Sequence, residues 1–168
     1  MTTQRYDRRN GASLSKDMIK YALAGDDLKK IKKCLKFCKS IRSIDNPDDH
    51  EKARDLNAEV ADILVHACIQ VCVHDTKMAA AFRNRAQAHR ESEYAFNTCL
   101  GIYLYRCKGA LQHCCNAHSQ AAIMHENCGL DIGFAEMHYG HAIMLQRLME
   151  TAPEEDDVDD GFDITSEL

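Results

Sequence analysis

Residues 46–74 read NPDDHEKARDLNAEVADILVHACIQVCVH. The first four residues form a helix start in register: Asn46 as cap, Pro47 with its fixed φ at the first helical position, and Asp48 and Asp49 where the helix dipole favours negative charge. A helical pattern then runs to about His74. Its second half carries Val60, Ile63, Leu64, Val65, Ala67, Cys68, Ile69, Val71 and Val73, so apolar residues surround much of the circumference. A helix of that kind belongs in the middle of a bundle. This stretch predicts an all-α protein assembled around it.

The flanks agree. Upstream, Ser15 caps a short helix through Ala24, Gly25 closes it, and Asp26 caps a second helix over residues 27–42. There Leu28, Ile31, Leu35, Cys38 and Ile41 recur at three- and four-residue steps. Lys29, Lys30, Lys32, Lys33, Lys36 and Lys39 fill much of the rest, which makes this a basic amphipathic helix. Downstream, residues 77–128 keep a helical pattern for a length of about 78 Å at 1.5 Å per residue, too long for one straight helix in a small globule. A break is expected near residues 89–92, at Gly101 or at Gly109. Gly129 ends that region, and residues 130–150 form the last helix with Phe134, Met137, His141, Leu145 and Leu148 on one stripe.

Composition narrows the class further. The chain has 168 residues, 45% apolar and 28% charged, with two prolines, eight glycines and no tryptophan. That suits one domain with a real core and leaves too few turn-formers for a many-stranded sandwich. The expectation is a single-domain helical bundle of five to six helices over residues 13–150. It is preceded by a flexible basic segment, 1–12, and followed by a disordered acidic tail, 151–168. No stretch approaches the roughly 20 apolar residues of a membrane span, and MTTQRYDRRN is not a secretory leader.

A formal charge of -5 conceals strong polarity. Residues 1–42 hold 12 Lys/Arg against 4 Asp/Glu, whereas residues 151–168, TAPEEDDVDDGFDITSEL, hold no base and 8 acids. Val158, Phe162 and Ile164 among those carboxylates read as a short linear motif for a basic groove. Asp156, Asp160, Gly161 and Glu167 fall at EF-hand loop positions, but Val158 stands where a third ligand is required and no exiting helix follows.

Nine cysteines and nine histidines are the chemical oddity. An odd number of cysteines set within helical patterns suggests free thiols in a reducing, intracellular home, with the cytoplasm as the expected site. Residues four apart share a helix face, so Cys34 with Cys38, Cys68 with Cys72, and Cys114 with His118 could each offer two soft ligands. The last pair belongs to a heptad-like stripe that runs through Phe96, Leu100, Tyr103, Cys107, Leu111, Cys114, His118, Ala121 and His125 and should face inward. If Cys68 and Cys72 met Cys114 and His118, three sulfurs and one nitrogen would suit zinc or copper(I). The competing reading is core packing, because free cysteine behaves as a small hydrophobe. No Glu-x-x-His exists for a ferritin-like di-iron site, and His113 and His118 are spaced wrongly for a hemerythrin-like one.

No P-loop, His-Glu-x-x-His, Gly-x-Ser-x-Gly or Gly-x-Gly-x-x-Gly occurs, so catalysis is disfavoured. The sequence therefore points to a non-enzymatic interaction module without an obligatory cofactor. Its partner-binding residues are Lys29, Lys30, Lys32, Lys33, Lys36, Lys39, Phe162 and Ile164. The expected partners are proteins, with anionic lipid or a nucleic-acid backbone at the lysine helix and a second copy of the chain as further options. The alternative is a metal-binding bundle using Cys68, Cys72, Cys114 and His118 for zinc or copper(I).

Overall fold

A computed structural model describes residues 23–102, 106–128 and 132–154. Among these residues there are five α-helices and no strand: α1 (Gly25–Ser40), α2 (Pro47–Val71), α3 (Thr76–Ile102), α4 (Lys108–Cys128) and α5 (Ile132–Met149). The protein is an all-α single domain. The expected helix from Ser15 and the acidic segment from Glu155 onward lie outside the described residues.

Local chemistry explains where the helices start. Asn46 Oδ1 accepts the Asp48 N–H at 3.1 Å, with Pro47 at the first helical position. Replacing Asn46 with Ala should lower stability by about 1 kcal/mol, read as a drop in urea midpoint with an unchanged m-value. Asp75 caps α3, its Oδ1 accepting the N–H groups of Lys77 at 3.0 Å and Met78 at 2.9 Å. At α1 the expected Asp26 cap is displaced. Ala24 is the cap residue, and Asp27 reaches back to accept its N–H at 3.3 Å. Glycine at 25 therefore opens this helix.

The long pattern breaks after Ile102, one residue past Gly101, and resumes at Lys108. Residues 89–92 stay inside α3 because His89 and Ser92 are fully buried and hydrogen-bonded there. The last helix begins at Ile132, and α2 stops at Val71 instead of His74.

Consecutive long helices α2, α3, α4 and α5 pack on one another, and α1 packs on both α2 and α5, bridging the first and last. The inward seam of α2 is His50, Ala53, Asn57, Val60, Leu64, Ala67 and Val71, at alternating three- and four-residue steps. Its outer face is not covered as its composition suggested: Val65 and Ile69 are 41% and 61% exposed, and Val73, in the turn that follows, is 84% exposed. Buried alanines, including Ala53, Ala61, Ala81, Ala88, Ala95, Ala121 and Ala122, let the helices approach closely, while Phe82, Phe96 and Phe134 fill the larger spaces. At the C-terminal end Lys108 N–H donates to the Pro153 carbonyl at 3.0 Å and Lys108 Nζ meets Glu154 at 3.2 Å, which fastens the chain beyond α5 to the start of α4. No helix among the described residues is long and apolar enough to cross a membrane.

Candidate functional site

Six histidines lie in the middle of the bundle: His50 from α2, His89 from α3, His118 and His125 from α4, and His138 and His141 from α5, none more than 4% exposed. Each occupies an inward position of its helix, so ordinary seam packing brings them together. Their rings form a continuous column. Successive centroid distances are 6.5 Å from His50 to His141, 5.1 Å to His118, 5.1 Å to His138, 5.6 Å to His125 and 4.6 Å to His89. Phe96 packs against four of them and Phe134 against two, so the walls are apolar.

A hydrogen-bonded chain runs through the centre. Cys99 Sγ lies 3.4 Å from His118 Nε2, and His118 Nδ1 lies 2.9 Å from His138 Nδ1. Ser92 Oγ sits 2.7 Å from both His138 Nε2 and His125 Nε2. Cys114 Sγ donates to the Thr98 carbonyl at 3.3 Å. The Ser92 hydroxyl also donates its one proton to the Ala88 carbonyl at 3.2 Å, so its oxygen accepts from the Nε2–H groups of both His125 and His138.

The other three histidines are different. His50 Nε2 faces the Ser43 carbonyl at 3.0 Å, and His141 Nε2 faces the Cys38 carbonyl at 3.2 Å. His89 Nδ1 faces Asn57 Oδ1 at 2.9 Å, while the Asn57 amide donates to the Ala53 carbonyl and to Cys38 Sγ. A carbonyl oxygen can only accept, so each of these nitrogens carries the proton. The opposite ring nitrogens, His50 Nδ1, His141 Nδ1 and His89 Nε2, are therefore bare lone pairs, and all three are buried without a hydrogen-bond partner.

Electrostatics keeps this column uncharged. Burial pushes His141 down to about 4 and holds His89, His118, His125 and His138 well below the ordinary imidazole range; neighbouring imidazoles, and the Arg85 guanidinium at His89 and His125, add to it. His50 is lowered by the same desolvation. All nine cysteines are free thiols. Two buried thiol pairs border the column. The hydrogen bond to Cys38, with burial, drives Cys34 upward, and the hydrogen bond to Cys114, with burial, drives Cys99 upward while Cys114 is lowered.

Of the residues singled out from sequence, Cys114 and His118 are inward and buried as expected. Cys68 and Cys72 do not join them. Each stands one residue beyond an inward position, Ala67 or Val71, and is turned about 100° away. Cys68 is half-buried, and Cys72 is exposed with its thiol donating to the Ile69 carbonyl at 3.2 Å. The thiol that meets Cys114 and His118 is Cys99. Lys29, Lys30, Lys32, Lys33, Lys36 and Lys39 are all exposed, with Lys30 3.6 Å from Glu59. Phe162 and Ile164 lie outside the described residues. Sequence reading missed His50, His89, Ser92, Cys99 and His138. Their signal was the heptad register of α2, α3 and α5, the same pattern that identified the α4 stripe.

Among the described residues no three His, Cys, Asp or Glu side chains converge on one point as a metal would require. The arrangement is a row of donor pairs, not a closed tetrahedral site. No protein-family model, curated protein or solved structure matches this chain.

Proposed function

We propose that this protein binds soft metal ions, copper(I) in particular, in the core of its helical bundle. The observation that carries the reading is the set of three buried imidazole lone pairs. Each is left bare by a ring whose other nitrogen is held by a carbonyl, the support that metal-binding histidines ordinarily have. A core evolved for packing alone would place leucine at such positions, since each unpaired buried polar atom costs about 1–3 kcal/mol.

The choice of ion follows from ligand number. Structural zinc takes four ligands in a tetrahedron, whereas copper(I) is satisfied by two soft donors in a line and favours thiolate and imidazole. His50 and His141, with centroids 6.5 Å apart, are near the roughly 6 Å that two imidazoles sharing one ion require at metal–nitrogen distances of about 2 Å. Cys99 with Cys114 or His118, and Cys34 with Cys38, supply further pairs. A thiol releases its proton to the solvent on ligation, so uptake at the sulfur pairs strengthens as pH rises.

Titrating the reduced full-length chain with copper(I) under anaerobic conditions should give more than one ion per chain. The expected stabilisation is about 2.7 kcal/mol at a free ion concentration one hundred times Kd. Substituting His50 and His141 with leucine should remove part of the stoichiometry, while Cys68→Ser and Cys72→Ser should leave it unchanged. Substoichiometric copper(I) and zinc, with no thermal shift, would sink the reading.

A second reading is favoured by a separate observation, the exposed lysine face of α1. On this reading the protein is a non-enzymatic docking module for acidic protein segments. Anionic lipid, a nucleic-acid backbone and a second copy of the chain are alternative partners, and the exposed Val65, Ile69 and Val73 strip is the natural self-association face. Vesicle flotation and sedimentation at low and high salt separate these partners. Free thiols throughout the core fit a reducing cytoplasm.

A further inference from the structure

A groove of about 630 Å³ opens between the turn that follows α1 and one flank of α5, with the buried Met137 and His141 at its floor. Its apolar lining is Ile41 and Met137, both largely covered, with the partly exposed Met144 and Leu148 above them. Lys39, Arg42 and Arg147 stand among them, opposed by the single carboxylate Glu136. An apolar trough with excess positive charge suits an acidic segment that carries a few large hydrophobic side chains.

The chain supplies such a segment a few residues beyond the end of α5. Beyond Met149, Ala152 packs, as Leu148 does, against the cluster around Leu145, and Pro153 and Glu154 are held by Lys108. The next fourteen residues, EDDVDDGFDITSEL, contain seven carboxylates and no base, with Val158, Phe162 and Ile164 as their large apolar residues. Reach is sufficient: the eight residues from Glu154 to Phe162 span up to about 26 Å extended, and Leu148 to Met137 is about 17 Å along α5. In an extended segment Phe162 and Ile164 fall on the same side, two residues apart.

We infer that the acidic C-terminal segment of this chain docks in its own groove between α1 and α5, with Phe162 and Ile164 on the methionine wall and its carboxylates at Lys39, Arg42 and Arg147. A short tether gives the segment an effective concentration in the millimolar range, so weak contacts suffice. An acidic partner for this face must then displace the segment first.

The chain has no tryptophan, so Phe162→Trp in the full-length protein gives a single reporter of the segment. Docking predicts blue-shifted emission and at least a two-fold loss of acrylamide quenching relative to the unfolded chain, independent of protein concentration and reversed by high salt. The exposed pair Arg42→Glu and Arg147→Glu should abolish the shift with the circular dichroism unchanged. Neutralising Asp159, Asp160 and Asp163 to Asn, which leaves the bundle untouched, should weaken it as well. Solvent-like emission in the parent, a shift that grows with concentration, or a shift insensitive to the neutralised segment would each overturn the inference.

Discussion

Mild acid should unfold this protein abruptly, with a midpoint between about pH 5 and 6. The buried histidines are held below their ordinary range in the folded state, so they stay neutral there while the unfolded chain takes up protons below about pH 6.5. The unfolded state thus binds more protons throughout this window, and folding stability is complete above it and lost as pH falls. Each such group removes about 1.4 kcal/mol per pH unit once its unfolded form is mostly charged. For the five deepest, His89, His118, His125, His138 and His141, the sum reaches about 7 kcal/mol by pH 5.5, comparable with the whole margin of about 5–15 kcal/mol. Helical circular dichroism followed from pH 8 to 4 measures this directly. Stability that stays level between pH 7 and 5 would show that the imidazoles are not buried as a group. Because bound metal competes with protons for the same lone pairs, copper(I) should move the midpoint toward lower pH.

The same histidines mark the boundary of what sequence alone can deliver. Helix starts are local chemistry: Asn46, Pro47 and the two aspartates sit within one turn of the groups they satisfy, so the beginning of α2 was legible to the residue. The inward stripe of α4 was legible too, because the three- and four-residue spacing of Leu111, Cys114, His118, Ala121 and His125 lies within one helix. What completes Cys114 and His118 belongs to another helix. Proximity in sequence nominated Cys68 and Cys72, an adjacent pair on α2, and the rotation of that helix turned both away from the core. The polar run of residues 89–92 misled for a related reason. Taken locally it looks like a break, but its His89 and Ser92 are satisfied by Asn57, His125 and His138, up to 46 residues away. A buried polar network is invisible to local propensity because every partner that stabilises it is distant in sequence.

Removing one hydroxyl from that network should have the second large effect. Ser92 Oγ is the point at which α3 holds the imidazoles of α4 and α5 together, at 2.7 Å from each. In Ser92→Ala the side chain barely changes volume, so no packing cavity opens. Instead the Nε2–H groups of His125 and His138 both lose the oxygen that accepts from them, in a fully desolvated setting. At about 1–3 kcal/mol for each orphaned group the loss is about 2–6 kcal/mol, large enough to unfold a marginal domain. Ser92→Cys, which keeps a weak donor and acceptor, should lose less. Denaturant melts of the metal-free protein test this ordering. Melts repeated with copper(I) probe the proposed function independently, because an ion held at Nε2 of His125 or His138 replaces the proton that the mutation leaves without an acceptor. The deficit of Ser92→Ala should therefore shrink in the loaded protein if those rings take part in ligation. A deficit of equal size with and without metal would confine the ions to other pairs, and a deficit under about 0.5 kcal/mol in both would show that Ser92 does not bind the two rings together.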